Sequence, residues 1–133
     1  MAENLFDLQI ICPDRVFYEG KASLFEVNTT EGEVGIYKNH MPMTMILAPG
    51  AALIKEEGSE KTAAIHAGFI EILPDKITVL AEVAEWPDEI DVRRAEEARI
   101  RAERRLGDKK SGTDLMRAET ALSRALARIY VAK

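Results

Sequence analysis

One break governs this sequence. All five prolines (residues 13, 42, 49, 74 and 87) lie at or before Pro87, and beyond it the only glycines are Gly107 and Gly112. Proline lacks the backbone N–H a helix interior needs, and together with glycine it punctuates strands and turns. The chain therefore divides at Pro87 into a part written in strands and turns and a part written in helices. The two meet in EWPDEIDVRRAEEARIRAERRL, residues 85–106.

Before the break, short apolar runs recur. Leu5, Leu8, Ile10 and Cys12 form the first; others cover 16–18, 23–28, 34–37, 43–47, 51–55, 61–66, 69–73 and 76–83. Turn residues separate them: Glu19-Gly20, 30–32, Pro49-Gly50, 57–59, Gly68 and Pro74-Asp75. In the last run Ile77, Val79, Ala81 and Val83 alternate with Lys76, Thr78, Leu80 and Glu82. Period-2 strands with turns every eight to twelve residues predict an antiparallel sandwich or barrel. The expected architecture is α+β, an N-terminal antiparallel β-sandwich over residues 1–86 and a C-terminal antiparallel two-helix hairpin over 87–133.

For the first helix, Asp88 or Asp91 can serve as N-cap, placing negative charge at the positive end of the helix dipole. It should run to Leu106 and stop with Gly107 at C′. Asp91, Arg94, Ala95, Ala98, Arg101 and Ala102 step by three or four and so share a face. Thr113 or Asp114 can cap a second helix reaching Tyr130, on which Leu115, Ala118, Leu122, Ala125 and Ile129 repeat at helical spacing. A short polar turn, GDKKSG, makes the two helices antiparallel neighbours. Their shared seam is mostly alanine, which lets the axes approach but buries little area.

The arginines on these helices carry the main clue to function. Glu97 can pair with Arg93 or Arg101 at i,i+4, and Asp114 with Arg117 at i,i+3. Arg124 and Arg128 have no carboxylate three or four residues away, and they face each other across one turn. In a hairpin that turns near residue 110, Arg94 lies level with the stretch between Arg124 and Arg128, and Arg101 shares the face of Arg94. Such a guanidinium cluster suits a polyanion, for which a nucleoside triphosphate has the size and charge. The same residues also fit a plain solvated face, and spacing leaves both readings open.

Charge is distributed unevenly. Residues 1–90 hold 6 Lys/Arg against 16 Asp/Glu, a balance of −10, and residues 91–133 hold 12 against 7, a balance of +5. A basic tail on an acidic body points to an anionic ligand or an acidic protein face, and it disfavours nucleic acid. Chemistry-bearing constellations are scarce. The two histidines, His40 and His66, have no partners at metal-ligand or catalytic spacing, so neither a metal site nor a catalytic residue is expected. His66 reads as packed or at a rim, His40 in NHMPM as a partner contact, and the lone Cys12 as a small core residue. With 47% hydrophobic residues and no run near the roughly 20 a bilayer needs, no membrane span or secretory signal is expected.

Four stretches in order resemble one family, the epsilon subunit of the F-type ATP synthase, equivalent to the mitochondrial delta subunit. Ile90-Asp91-Val92-Arg93-Arg94-Ala95 resembles its I/L-D-x-x-R-A motif; DLMRAETALSRALARI its second helix; GEVGIYKNHMPM its loop G-E-x-G-I-x-P-G-H-x-P; and GFIEILPDKITVLAEVAE its last strands. Lys38-Asn39 stands where the family has Pro-Gly, and Asn39 can still supply the left-handed conformation of the glycine.

The resemblance implies a non-catalytic central-stalk subunit. Its sandwich would dock on the gamma subunit and the c-subunit ring, with Glu31, Tyr37, His40, Met41 and Pro42 facing them. Its hairpin would lie folded, permitting ATP hydrolysis, or extend to meet an acidic segment of the beta subunit and block it. In bacillus-like members the folded hairpin binds ATP as a regulatory ligand without hydrolysing it. The positions that match are Glu85, Ile90, Asp91, Arg94, Ala95, Arg101, Arg124 and Arg128. Arginines would take the phosphates, and Asp91 with groups near Ile90 and Glu85 the adenine or ribose. Such a subunit would be peripheral, on the cytoplasmic face of a bacterial plasma membrane. The competing readings are a purely structural stalk subunit that binds no nucleotide, and a free-standing β-sandwich module using its basic hairpin on RNA or acidic proteins.

Overall fold

The computed structural model describes residues 4–108 and 112–132. Eight strands come first: β1 (Phe6–Cys12), β2 (Arg15–Ala22), β3 (Leu24–Thr29), β4 (Gly32–Ile36), β5 (Met43–Ile46), β6 (Gly50–Glu56), β7 (Ser59–Ile72) and β8 (Lys76–Glu85). A 3₁₀ turn at Pro87–Glu89 leads into α1 (Val92–Gly107) and α2 (Gly112–Ala132). The break at Pro87 is thus where strand gives way to helix.

The sandwich is made by the longest strand. The strands run in the order β2-β1-β8-β7-β6-β3-β4, with β5 also on β7. The first half of β7 pairs with β6, Gly50 to Ile65 through Glu56 to Ser59. Its second half pairs instead with β5, Met43 to Ile72 through Ile46 to Phe69. Between the halves, Ala67 and Gly68 take positive φ, 54° and 121°. β7 is one bent strand serving two layers, and β8 stays in register with it from Ile72–Ile77 to Ala64–Glu85. Strands that turn a corner in this way pass from one sheet layer to the other. Gly68, expected from the sequence to be a turn between two strands, is a corner inside one. Glu19-Gly20 is likewise no turn: β2 runs through it, and Gly20 is small because the Tyr18 ring lies over it, the hydroxyl 2.7 Å from where a Cβ would stand. All pairings are antiparallel except β1 with β8, which run parallel.

Alternation places the core between the layers. Phe6, Leu8, Ile10 and Cys12 of β1 are buried while Asp7 is exposed. They join Phe25, Val27, Ile36, Ile54, Ile65, Ile70, Ile72, Ile77 and Val79 in one cluster. Cys12 is a buried free cysteine within it. The Tyr18 hydroxyl donates to Glu56 near its rim. Burial and that carboxylate together push the phenol pKa up.

The helices form a thin second unit. Ala95, Ala102, Ala118 and Ala125 are buried, while Leu115, Leu122 and Ile129 are only half covered. Asp91, not Asp88, caps α1, its Oδ1 accepting from the Arg94 N–H at 3.1 Å. Gly107 is the last residue of α1 rather than a left-handed C′ residue, and Asp108 at the C-cap has φ −78°. The cap expected at Thr113 or Asp114, the Asp114–Arg117 pair and residues 109–111 of the turn lie outside the described side chains. The hairpin meets the sandwich through a second cluster, Ala64, Ile90 and Val131, bordered by Ala51 and Ala132. That seam is short, and three of its five residues are alanine.

Because Ala118 is fully buried, Ala118→Leu should force the helices apart at a cost of about 1–3 kcal/mol. Trypsin should then cut the arginine-rich helices faster while the strand region resists. Equal cleavage of both chains would show that the helices do not pack through their alanines.

Candidate functional site

The linker between the two units is fastened to β2. Arg15 donates to both carboxylate oxygens of Glu89 at 2.9 Å and reaches the Ala84 carbonyl at 3.3 Å. The Trp86 N–H donates to the same Glu89 at 2.9 Å, and the Trp86 ring stacks on Phe17 with centroids 4.2 Å apart. Arg15, then the Trp86 amide, holds Glu89 far below the usual carboxylate range, at about 2. A depressed acid contributes its stabilisation above its ordinary value and loses it as pH falls through the folded one. This fastening therefore persists across the neutral range.

Immediately beyond the linker, α1 and the end of α2 enclose a pocket of about 380 Å³. Glu85, Glu89, Asp91, Arg94, Ala95, Ala98, Arg101 and Arg128 line it. Each reaches it by a local rule. Glu85 ends β8, Asp91 caps α1, and Arg94, Ala95, Ala98 and Arg101 occupy one helical face at spacings of three and four. Arg128 arrives from the antiparallel partner helix, as the hairpin geometry predicts. Six of the eight positions singled out in the sequence, Glu85, Asp91, Arg94, Ala95, Arg101 and Arg128, are thus brought together. The other two are not in the lining. Ile90 is buried against Ala64 and Val131 as the pin of the seam. Arg124 lines a separate shallow depression with Met116, Arg117, Thr120 and Ala121, while its charge is felt at His66. Glu89 lines the pocket although the sequence reading passed over it.

Among the described residues, the arginines of the hairpin differ in their ties. Arg93 pairs with Glu97 at 3.4 Å, and Arg99 with Glu96 and Glu103 at 3.3 and 2.7 Å, so these are ordinary helix-surface pairs. Among the described residues Arg94 and Arg101, both exposed, make no ion pair. Arg128 does have a carboxylate, 43 residues away: its Nε donates to Glu85 Oε1 at 2.7 Å. Helical spacing does not reveal this bond, because it crosses from helix to strand. Behind it lies His66, 1% exposed, with Nε2 at 3.5 Å from the same oxygen. Neither His66 nitrogen nor the buried Nε of Arg124 has a hydrogen-bond partner among the described residues. His66 is therefore packed, but beneath the hairpin rather than at a rim.

A second surface lies on the sandwich. Glu31 directly precedes β4, and Tyr37, His40, Met41 and Pro42 follow its other end; β4 is the last strand in the sheet order, leaving an edge about 16 Å long with no strand paired to it among the described residues. Asn39 adopts φ 68°, the left-handed conformation expected of it, and its N–H donates to the Pro74 carbonyl at 2.6 Å. The outer face also carries an apolar stripe. Strand register sets Ile46 beside Phe69, Phe69 beside Leu80, Leu80 beside Ile11 and Ile11 beside Val16. Ile46, Phe69, Leu80 and Val16 are 62%, 45%, 39% and 56% exposed. A contiguous apolar row of this kind on an otherwise alternating sheet marks an interaction surface. The sequence hides this row because apolar residues on both faces of a strand look like one buried run. Among the described residues there is no cluster of metal-ligating side chains, and no helix is long and apolar enough to cross a membrane.

Comparison with known proteins covers both parts of the chain. Residues 5–87 match the family model of the ATP synthase delta/epsilon chain β-sandwich domain, and residues 88–133 that of its long alpha-helix domain. An ATP synthase epsilon chain of Caldanaerobacter subterraneus is 44% identical over 131 residues, 98% of this chain and 95% of that one. One from Shouchella clausii is 46% identical over 126 residues, 95% of this chain and 93% of the relative. In fold, the chain is similar to one in the mitochondrial ATP synthase of Euglena gracilis, with a TM-score of 0.81 at 21% identity, covering 92% of this chain and 78% of that chain. It is also similar to one in the central stalk and c-ring structure from Tetrahymena thermophila, with a TM-score of 0.66 at 12% identity, covering 96% of each chain.

Proposed function

Since this chain belongs to the ATP synthase delta/epsilon family, we propose that it is a regulatory central-stalk subunit whose sandwich docks it and whose hairpin senses ATP. It performs no chemistry itself; it couples ion translocation to rotary ATP synthesis through its place in the stalk. The apolar stripe from Ile46 to Val16 is the face that packs on the gamma subunit. The edge running from Glu31 past Tyr37, His40, Met41 and Pro42 faces the c-subunit ring. The chain is held peripherally in this way at the cytoplasmic face of a bacterial plasma membrane.

The observation that supports nucleotide sensing most directly is the pocket between α1 and α2. Arg94, Arg101 and Arg128 supply donors suited to phosphate oxygens, and guanidinium groups take such oxygens in bidentate fashion. Asp91 and Glu85 are acceptors suited to the amino and hydroxyl groups of adenine and ribose, with Ala95 leaving room for the ring. Arg124 and Ile90 act from behind, the first as additional positive charge and the second as the seam pin. Bound only in the folded pose, ATP stabilises that pose by RT ln(1 + [ATP]/Kd). As ATP falls, the short alanine seam gives way. The basic hairpin then extends toward an acidic segment of the beta subunit and blocks hydrolysis. Calorimetric titration of the whole chain with ATP tests this, and absence of any binding at millimolar ATP would leave a purely structural stalk subunit.

The docking face yields its own expectation. Phe69 sits mid-stripe and is already half exposed, so Phe69→Asp should leave the sandwich folded. Buried at an interface, the carboxylate should weaken capture of the gamma subunit by about 100-fold, the scale of a central contact residue. Undiminished co-purification of a folded variant with gamma would place the interface elsewhere.

A further inference from the structure

We propose that His66 is a proton-linked positioning residue of the nucleotide pocket: when a nucleoside triphosphate binds and draws Arg128 off Glu85, the imidazole beneath Glu85 takes up one proton from solvent. This deepens the nucleotide reading and rests on it. The starting point is a buried imidazole with no hydrogen-bond partner for either nitrogen among the described residues, whereas buried polar groups are normally satisfied. Its nearest polar neighbour is Glu85 Oε1, 3.5 Å from Nε2, and that oxygen is occupied by Arg128 Nε at 2.7 Å.

The charged groups facing the ring are few. Glu85 comes from β8, and Arg124 and Arg128 come from α2. Burial first, and then Arg128, keep the ring neutral and lower it to about 4, against the opposing pull of Glu85. In the nucleotide-free pocket, then, burial and two guanidinium groups hold His66 uncharged against the pull of one carboxylate.

A triphosphate reverses that balance in two ways. It brings several negative charges into the pocket that Arg128 lines, and it competes with Glu85 for the same guanidinium. Glu85 is then left as an uncompensated carboxylate whose Oε1, 3.5 Å from Nε2, is a short movement from a hydrogen bond. A proton on Nε2 answers both changes, and the imidazolium donates to Glu85, fixing that side chain for the nucleotide. The sign follows from linkage. A group raised on binding strengthens binding at low pH, and that gain is lost as pH rises through the raised value. Below about pH 4, each unit of upward shift corresponds to a tenfold gain in affinity, and net proton uptake falls in the window between about pH 4 and the raised value.

The test is a proton NMR titration of the imidazole Cε1–H signals, in the whole chain, with and without saturating ATP. His40→Gln removes the only other histidine, so the remaining signal is His66. Its midpoint should lie near 4 without nucleotide and rise by at least one unit with ATP. A midpoint that stays put or falls while ATP is bound overturns the proposal. In His66→Asn the ATP affinity should lose the part of its pH dependence that the parent chain shows beyond the titration of ATP itself. A retained slope in a folded, ATP-binding His66→Asn chain also overturns it. The wild-type signal decides the matter even where that variant does not fold. Failure to bind ATP at any pH would instead overturn the nucleotide reading, and this inference with it.

Discussion

Gly68→Ala should melt at least about 12 °C below the parent chain, a larger loss than any other single added methyl group along the strands. The position is unusual twice over. Its φ of +121° is one that side-chain-bearing residues rarely adopt, costing about 1–3 kcal/mol. A Cβ there would also stand 2.0 Å from the Leu80 carbonyl oxygen and 2.9 Å from the Ala81 Cα. Those atoms are backbone of β8 and cannot swing aside like the end of a side chain. Relief requires parting β7 from β8 at the corner that joins the two layers, beneath buried Ile70 and Val79. A total near 3 kcal/mol or more follows, and about 4–8 °C accompanies each kcal/mol in a domain of this size. Gly32→Ala is the matched control. Gly32 also has positive φ, +113°, but nothing lies within 4 Å of its missing Cβ, so only the conformational part of the cost applies. If the two variants melt together in a calorimetric scan, the close approach at the corner is not what Gly68 is for.

The same glycine shows where reading the chain from its letters stops. Alternation and turn spacing place Phe6, Leu8 and Ile10, or Ile77 and Val79, on a buried face without any coordinates, because period 2 is a local property. A glycine within an apolar run has two meanings, a turn or a strand that another backbone passes closely. Gly20 and Gly68 both read as turns and both lie within strands; only the Tyr18 ring over one and the β8 backbone beside the other decide it. The arginine face divides in the same way. Arg94, Ala95 and Arg101 share a face by helical spacing, and Arg128 joins them because a short polar turn makes the helices antiparallel. The Arg128–Glu85 bond and the imidazole behind it were not legible, since strand and helix residues 43 positions apart share no period. The apolar stripe was hidden for a related reason. Leu80 and Phe69 face outward beside inward Val79 and Ile70, and no alternation distinguishes a core face from a face awaiting another protein.

Arg94→Ala and Arg128→Ala should each weaken ATP binding by about 10- to 100-fold, the loss of a charge-assisted bond worth about 1.5–3 kcal/mol. They should differ in what else they do. Arg94 makes no ion pair among the described residues, so its removal should leave the hairpin as firmly folded as before. Arg128 ties α2 to the end of β8 through Glu85, with both side chains well covered, 30% and 24% exposed. Removing it strands a carboxylate beside buried His66, and breaking one side of a covered pair destabilises more than the pair itself contributes. Arg128→Ala should therefore also release the helices, seen as faster trypsin cleavage between residues 91 and 133 without ATP. Arg128→Lys separates the two roles, because it keeps the charge near the phosphates but lacks the Nε–H that Glu85 accepts from. Calorimetry and proteolysis on the three variants read these outcomes independently. Affinities within twofold of the parent for both alanine variants would remove ATP from the pocket, and an unchanged cleavage rate for Arg128→Ala would mean that the seam of Ala64, Ile90 and Val131 alone holds the hairpin down.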